Sequence, residues 1–263
     1  MSHPDVLERV HADYIAAGAD VITTNTYASS RLMLARAGRG DEVPAAVEAA
    51  VTAARRARDR AEGERPIAIA GSLSHMVPSV EGSTGPNDVE MLAAFRELAG
   101  ELAEQGCDFL LLEMMYHPDR MPLVIQAARE TGLPIWLGTS ARSGEDGELL
   151  SAFGRAAFPF EDVAALIPDQ GIEVAGVMHT AATLTDPALE AVRARFAGLL
   201  MAYPDSGHFE MPHWRFVDIM PPSVFVDHCQ RWAHAGVQVL GGCCGLGLPH
   251  IEALARAELP HRE

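Results

Sequence analysis

Seven short apolar runs, each followed by a longer stretch with apolar residues three and four apart, limit the folds open to this chain. The runs are Asp20 to Tyr27, Pro66 to Ser72, Asp108 to Met114, Pro134 to Thr139, Glu173 to His179, Gly198 to Tyr203 and Val237 to Cys243. Runs of that kind read as buried strands, and amphipathic stretches between them make repeated βα units around a parallel sheet. Helices are expected where Val43, Val47, Ala50, Val51 and Ala54 share a face, and where Leu92, Phe95, Leu98 and Leu102 do. Others are expected at roughly Asp119 to Glu130, Phe160 to Ile167, Pro187 to Phe196, Ser223 to Ala235 and Pro249 to Ala257. Loop-like stretches such as Pro78 to Pro86 and Thr139 to Gly147 fall just after strands, where a (β/α)8 barrel carries its chemistry. An open doubly wound sheet is the alternative, although no Gly-rich dinucleotide fingerprint follows any strand.

The chain opens on a helix, Pro4 to Ala17, with Leu7, Val10, Tyr14 and Ile15 as its buried stripe. An eighth strand would have to precede Met1. The expected architecture is therefore an α/β TIM (β/α)8-type barrel lacking its first strand, formed by residues 1–263 as one domain. A barrel left open exposes two sheet edges, which call for cover from a loop or a partner chain such as a second copy.

A chain of 263 residues with 48% hydrophobic content is long enough to bury one large core. Its formal charge of -16 and pI near 5.0 leave no basic stripe for a phosphate backbone, so no nucleic-acid partner is expected. The one basic cluster, Arg55, Arg56, Arg58 and Arg60, is interspersed with Glu62 and Glu64 and reads as a solvated helix face. No apolar run reaches the roughly 18 to 20 residues of a membrane span, and the N-terminus lacks a signal pattern. A cytoplasmic protein is expected. Four scattered cysteines make no disulfide framework; Cys107 and Cys229 read as small core residues.

The other two cysteines are adjacent, in Val239-Leu240-Gly241-Gly242-Cys243-Cys244-Gly245, with Pro249-His250-Ile251 just beyond. Consecutive side chains on a regular strand point to opposite faces and cannot share a metal. Gly241, Gly242 and Gly245 allow the chain to leave strand geometry, so that both sulfurs swing to one side. Thiolates select zinc or copper(I) over hard cations, and a catalytic zinc takes three protein ligands with one position open. A third ligand must come from elsewhere.

Taken together, these residues resemble the homocysteine S-methyltransferases, a family of zinc enzymes with betaine-, S-methylmethionine- and cobalamin-dependent members. The resemblance runs nearly the whole length. It rests on the segment Ala17-Gly18-Ala19-Asp20-Val21-Ile22-Thr23-Thr24-Asn25-Thr26-Tyr27, on Ala70-Gly71-Ser72, on Tyr203-Pro204-Asp205-Ser206-Gly207, and on Gly241-Gly242-Cys243-Cys244-Gly245. It implies a barrel with zinc held by three cysteines and a thiol as substrate. The family's third cysteine follows a Gly-Val-Asn pattern at the end of the sixth barrel strand; here the stretch is Gly176-Val177-Met178-His179-Thr180, and His179 stands in its place. Imidazole is a competent zinc ligand. Two thiolates and a neutral imidazole leave the centre at zero net charge, against -1 for three thiolates.

Two further departures concern the substrate. The strand that would precede Met1 carries an acidic residue in the family, and Glu113-Met114 stands where the family has Glu-Thr. In the family these carboxylates help to hold an amino acid's ammonium group, a role that falls here to Glu113. Asn25, Thr26 and Tyr27, Ser72 and Tyr203 complete the candidate pocket, with strand-end hydrogen bonding as the other role open to Thr26 and Ser72. The expected activity is transfer of a methyl group from an onium or corrinoid donor to a thiol such as homocysteine, with Zn2+ as cofactor. The gathering of His75, His117, His179, His208 and His213 after strands opens a second reading, a metal-dependent hydrolase or lyase. A third is a degenerate barrel kept as a binding partner.

Overall fold

A computed structural model of the chain describes residues 3–63, 65–78, 85–153, 156–210 and 215–260. Two compact units divide it, Met1–Leu137 and Gly138–Glu263. In the first, α1 (Pro4–Ala16) leads into β1 (Val21–Thr23), followed by α2 (Arg31–Ala35), α3 (Val43–Asp59), β2 (Ala68–Ser74), α4 (Asp88–Glu104), β3 (Phe109–Met115) and α5 (Met121–Arg129). Strand β4 (Ile135–Thr139) runs through the division. The second unit holds β5 (Arg142–Ser143), β6 (Leu149–Phe153), β7 (Ala156–Pro159), α6 (Phe160–Ala164), β8 (Val174–Ala181) and α7 (Ala182–Arg193). It continues with β9 (Leu199–Asp205), β10 (His208–Glu210), β11 (Arg215–Val217), α8 (Pro222–His234), β12 (Val239–Leu240) and α9 (Leu248–Ala255).

The parallel strands follow the order β1-β2-β3-β4-β8-β9-β12. Each strand is added on the same side as the last, with no reversal. That order belongs to an α/β fold of the (β/α)8-barrel type and excludes the doubly wound alternative, which reverses at a switch point. All seven strands expected from the apolar runs are present. No helix among the described residues is long and apolar enough to cross a membrane.

The stripes of α3 and α4 bury as their spacing requires, apart from a half-buried Leu92. In α1 the expected stripe does not hold: Ile15 is buried with His11, Leu7 and Tyr14 are half-buried, and Val10 is exposed. Val43, Val47, Ala50, Val51 and Ala54 of α3 are all buried, as are Phe95, Leu98 and Leu102 of α4. Helix α4 starts where Asn87 accepts from the Glu90 amide while the Glu90 carboxylate accepts from the Asn87 amide, a reciprocal cap. Cys107 and Cys229 are core residues with free thiols, both pushed up to about 12, foremost by burial. Three of the four arginines of the basic cluster are paired with acids: Arg56 and Arg60 with Glu8, Arg58 with Asp59 and Asp108. The cluster is a solvated face.

Some boundaries differ from the expected ones. Helix α7 begins at Ala182, five residues before Pro187, which sits inside it. A proline normally marks the first turn, but Ala182, Thr185, Ala188, Leu189 and Val192 are buried at helical spacing. Burial of that stripe outweighs the one hydrogen bond Pro187 cannot make. Strand β12 is also shorter than the apolar run, ending at Leu240. Two antiparallel additions have no precedent in the apolar pattern: β5-β6-β7 after β4, and the pair β10-β11 after β9. Most of the Pro78 to Pro86 stretch lies outside the described residues.

Candidate metal centre

Within the second unit, β9 lies between β8 and β12, so the ends of the two outer strands flank the end of the middle one. The β8–β9 register is regular from Val174↔Leu199 to Met178↔Tyr203, then shifts, and resumes at Ala181↔Asp205. His179 occupies that bulge with φ of 45°, a left-handed conformation rare for a non-glycine residue. The bulge is held by Thr180, whose hydroxyl donates to Met178 O at 2.8 Å and accepts from the Ala141 amide at 2.8 Å. Tyr203 donates to the Met178 sulfur at 2.8 Å, one residue before the bulge. A bulge re-aims a side chain, and here it turns the imidazole toward the cysteines.

The cysteine turn is pinned to β9 from the other side. Gly241 N donates to Ala202 O (3.1 Å), Cys243 N to Pro204 O (2.7 Å), and Ser206 N to Cys244 O (2.9 Å). Of the three glycines expected to supply unusual backbone angles, only Gly245 does so, with φ of 79°. A Cβ there would also meet Ser206 O at 2.0 Å. Gly242 is needed for space, since its Cβ would lie 2.5 Å from that of Leu246. Gly241 has room for a Cβ, its closest neighbour being Tyr203 at 3.4 Å.

The result is a compact donor triangle. His179 Nδ1 lies 3.6 Å from Cys243 Sγ, the two sulfurs are 3.9 Å apart, and all three donor atoms fall within 4.8 Å of one another. Tetrahedral zinc with Zn–S near 2.3 Å and Zn–N near 2.05 Å requires edges of about 3.8 Å for S···S and about 3.6 Å for N···S. The side chains present fit such an ion. Among the described residues no other cluster of His, Cys, Asp and Glu has this spacing.

Electrostatics favour thiolate. The Cys243 thiol and the His179 ring, both hydrogen-bonded to Cys244, hold its pKa down to about 4, and the same bond raises that of His179. Asp205 Oδ2 lies 3.7 Å from His179 Nδ1, and burial raises its carboxyl above the usual range.

The first unit carries a separate polar cluster. Thr26 is fully buried, and its hydroxyl donates to Ser72 O at 2.7 Å. Thr24 Oγ1 accepts from Ser72 N at 3.0 Å, so the remaining 2.8 Å contact is a bond donated by Thr24 to Thr26. Ser72 in turn donates to Glu113 through a short bond. Thr26 and Ser72 thus serve strand-end bonding, and through it the placement of Glu113. Asn25 is exposed. Tyr27 donates to the Met114 sulfur at 3.1 Å, and Met114 has φ of 52°.

The other histidines take different parts. His75 is buried, with Nε2 accepting from Tyr116 N (3.0 Å) and His117 N (3.2 Å). Burial, with smaller contributions from Arg120 and His117, lowers its pKa to about 3. His117 Nδ1 accepts from the Asp119 amide, His208 lies near Asp218, and His213 falls outside the described residues. Of the expected rim histidines that are described, His179 alone joins the sulfurs. Asp205, Ser206 and His250 were not anticipated as part of this region, although the Pro-Asp-Ser-Gly run and the Pro-His pair mark their positions.

Parallel strands whose C-terminal ends carry soft donors define the class: an α/β protein of barrel type with a centre suited to a thiophilic metal. The chain belongs to the homocysteine S-methyltransferase family, whose model matches residues 1–258. Mouse betaine–homocysteine S-methyltransferase 1 is 26% identical over 290 aligned residues, covering 100% of this chain and 66% of its own length. Maize homocysteine S-methyltransferase 4 is 27% identical over 281, covering 97% and 80%. The fold is shared with the Escherichia coli homocysteine methyltransferase MmuM in its metallated form, at TM-score 0.76 and 22% identity, covering 97% of this chain and 85% of that one.

Proposed function

We propose that this chain is a zinc-dependent methyltransferase that moves a methyl group from an onium or corrinoid donor to a thiol such as homocysteine. The observation that carries the reading is the His179, Cys243 and Cys244 triangle in a member of this family. Held by those three side chains, zinc supplies the Lewis acidity that lowers the pKa of a substrate thiol into the neutral range. Soft sulfur donors favour it over magnesium or calcium.

The residues of the chain divide the remaining work. His179, aimed by the bulge, contributes a neutral donor, so the triangle adds two negative charges where three thiolates would add three. Asp205 restores a negative charge beside the imidazole. Glu113, oriented by Ser72, is the group of the first unit suited to an ammonium on the substrate, and Asn25 offers an exposed amide near the same strand ends. Tyr203 orients the strand just ahead of the bulge. In the transfer, the thiol proton leaves to solvent and the sulfur electron pair forms the new bond to the methyl carbon. The donor's bond to that carbon breaks, its electrons remaining on the donor. Free thiols in the centre suit a reducing compartment, the cytoplasm.

The test is to load the protein with zinc, supply homocysteine with betaine, S-methylmethionine or a methylated corrinoid, and follow the methylated thiol by mass spectrometry. Thiol-dependent product, lost on chelation and restored by zinc, is expected. Absence of product with every donor from fully loaded protein sinks the assignment.

A further inference from the structure

The backbone of the cysteine turn is not held by β9 alone. Ser206, buried at 7% exposure, donates its amide to Cys244 O at 2.9 Å and accepts at Oγ from the Met220 amide at 2.8 Å. Met220 O is in turn 2.8 Å from Nε2 of His250, also 7% exposed. Because a carbonyl only accepts, Nε2 carries the proton and donates. His250 stands in the first turn of α9, six residues after Cys244. The bonds therefore close a ring: Cys244 to Ser206, Ser206 to Met220, Met220 to His250, and His250 back along the chain to the cysteines. Phe225 fixes the far edge of the imidazole, with ring centroids 5.8 Å apart and planes at 79°. The ring also ties in the strand pair β10–β11, which leaves β9 beyond Ser206 and returns just before Met220. Gly207, with φ of 79°, permits that departure; a Cβ there would lie 2.3 Å from Val217 O.

We propose that Ser206 and His250 are positioning residues of the metal centre, which act through the backbone of Met220 to hold the cysteine turn in the one conformation that presents both sulfurs to His179. The proposal rests on the metal-binding part of the function above. Neither side chain touches the donor atoms. Each supports a backbone group whose displacement would open the donor triangle, and such outer partners commonly contribute ten- to a hundredfold to metal affinity.

The test is zinc affinity, measured by competition with a chromogenic chelator, for wild type, Ser206→Ala, His250→Leu, the double variant and His250→Gln, with thermal stability of each metal-free protein alongside. Ser206→Ala and His250→Leu should each weaken zinc binding by about tenfold or more. The double variant should lose little beyond the larger single loss, because both act on the backbone of one residue, Met220. His250→Gln, which keeps a donor at similar reach, should recover most of the affinity. Lowered stability with unchanged zinc affinity would assign the ring to the fold alone and overturn the proposal, as would losses that simply add. Wild-type protein that binds no zinc would instead remove the reading on which the proposal rests.

Discussion

His179 reaches the sulfurs only because its backbone takes a left-handed conformation that most side chains avoid. Alanine there would keep much of the local strain and remove a proposed ligand. His179→Ala should therefore lower zinc affinity by at least about tenfold, read by chelator competition, while secondary structure is retained. His179→Cys should preserve zinc and sustain or raise methyl transfer, since a third thiolate makes a bound thiolate more nucleophilic. Loss of transfer with zinc still bound would show that the two ligands are not interchangeable.

A different residue-scale consequence attaches to His75. Its pKa of about 3 lies below the ordinary value of 6.5, so the unfolded chain binds the extra proton first as pH falls. The stability that neutral His75 contributes is complete above pH 6.5 and declines between 6.5 and 3. The slope is about 1.4 kcal/mol per pH unit. His75→Gln keeps an acceptor for the two amides without a titrating ring. Denaturant unfolding at pH 7 and pH 5 should show a fall in stability smaller by about 2 kcal/mol in that variant than in wild type. An identical fall in both would place the acid sensitivity elsewhere.

At the scale of elements, the cysteine turn depends on one backbone conformation. Gly245→Ala forces an L residue to φ of 79° and drives a methyl into Ser206 O. The conformational part costs about 1–2 kcal/mol, and relief of the clash must shift Ser206 or Cys244. Zinc affinity should fall more than thermal stability of the metal-free protein does. Gly241→Ala has room for its methyl and should leave the centre intact, which makes it the control.

The periodicity of apolar residues disclosed the seven strands and most helices because burial dictates both. The Gly-Gly-Cys-Cys-Gly run disclosed the turn because adjacent thiols can converge only where a strand ends. Other elements left no such mark. The bulge at His179 arises from a register shift between β8 and β9, a pairing property absent from either strand alone. The early start of α7 depends on tertiary burial overriding Pro187. Strands β10 and β11 are short and partly exposed, so their residues show little apolar pattern. Ser206 and His250 were readable as residues but not as a ring, which exists only once Met220 lies between them.

For the whole molecule, metal should behave as a ligand of the folded state. Zinc at a thousand times its dissociation constant would stabilise by about 4 kcal/mol, so chelation should lower the melting temperature with the logarithm of free metal. A melting temperature insensitive to zinc and chelator would argue against the centre. Hydrogen exchange after chelation should rise around residues 179, 206 and 244, all in the unit Gly138–Glu263 that contributes every donor.

The bond from Ser72 to Glu113 lies within residues 1–137, and the backbone bonds that pin the cysteine turn lie within 138–263. On the proposed function, selection can thus retune the surroundings of Glu113 in one half of the chain and those of the donor triangle in the other. If the proposed function holds, a lineage carrying this architecture is free to change what it alkylates without re-inventing how it activates sulfur.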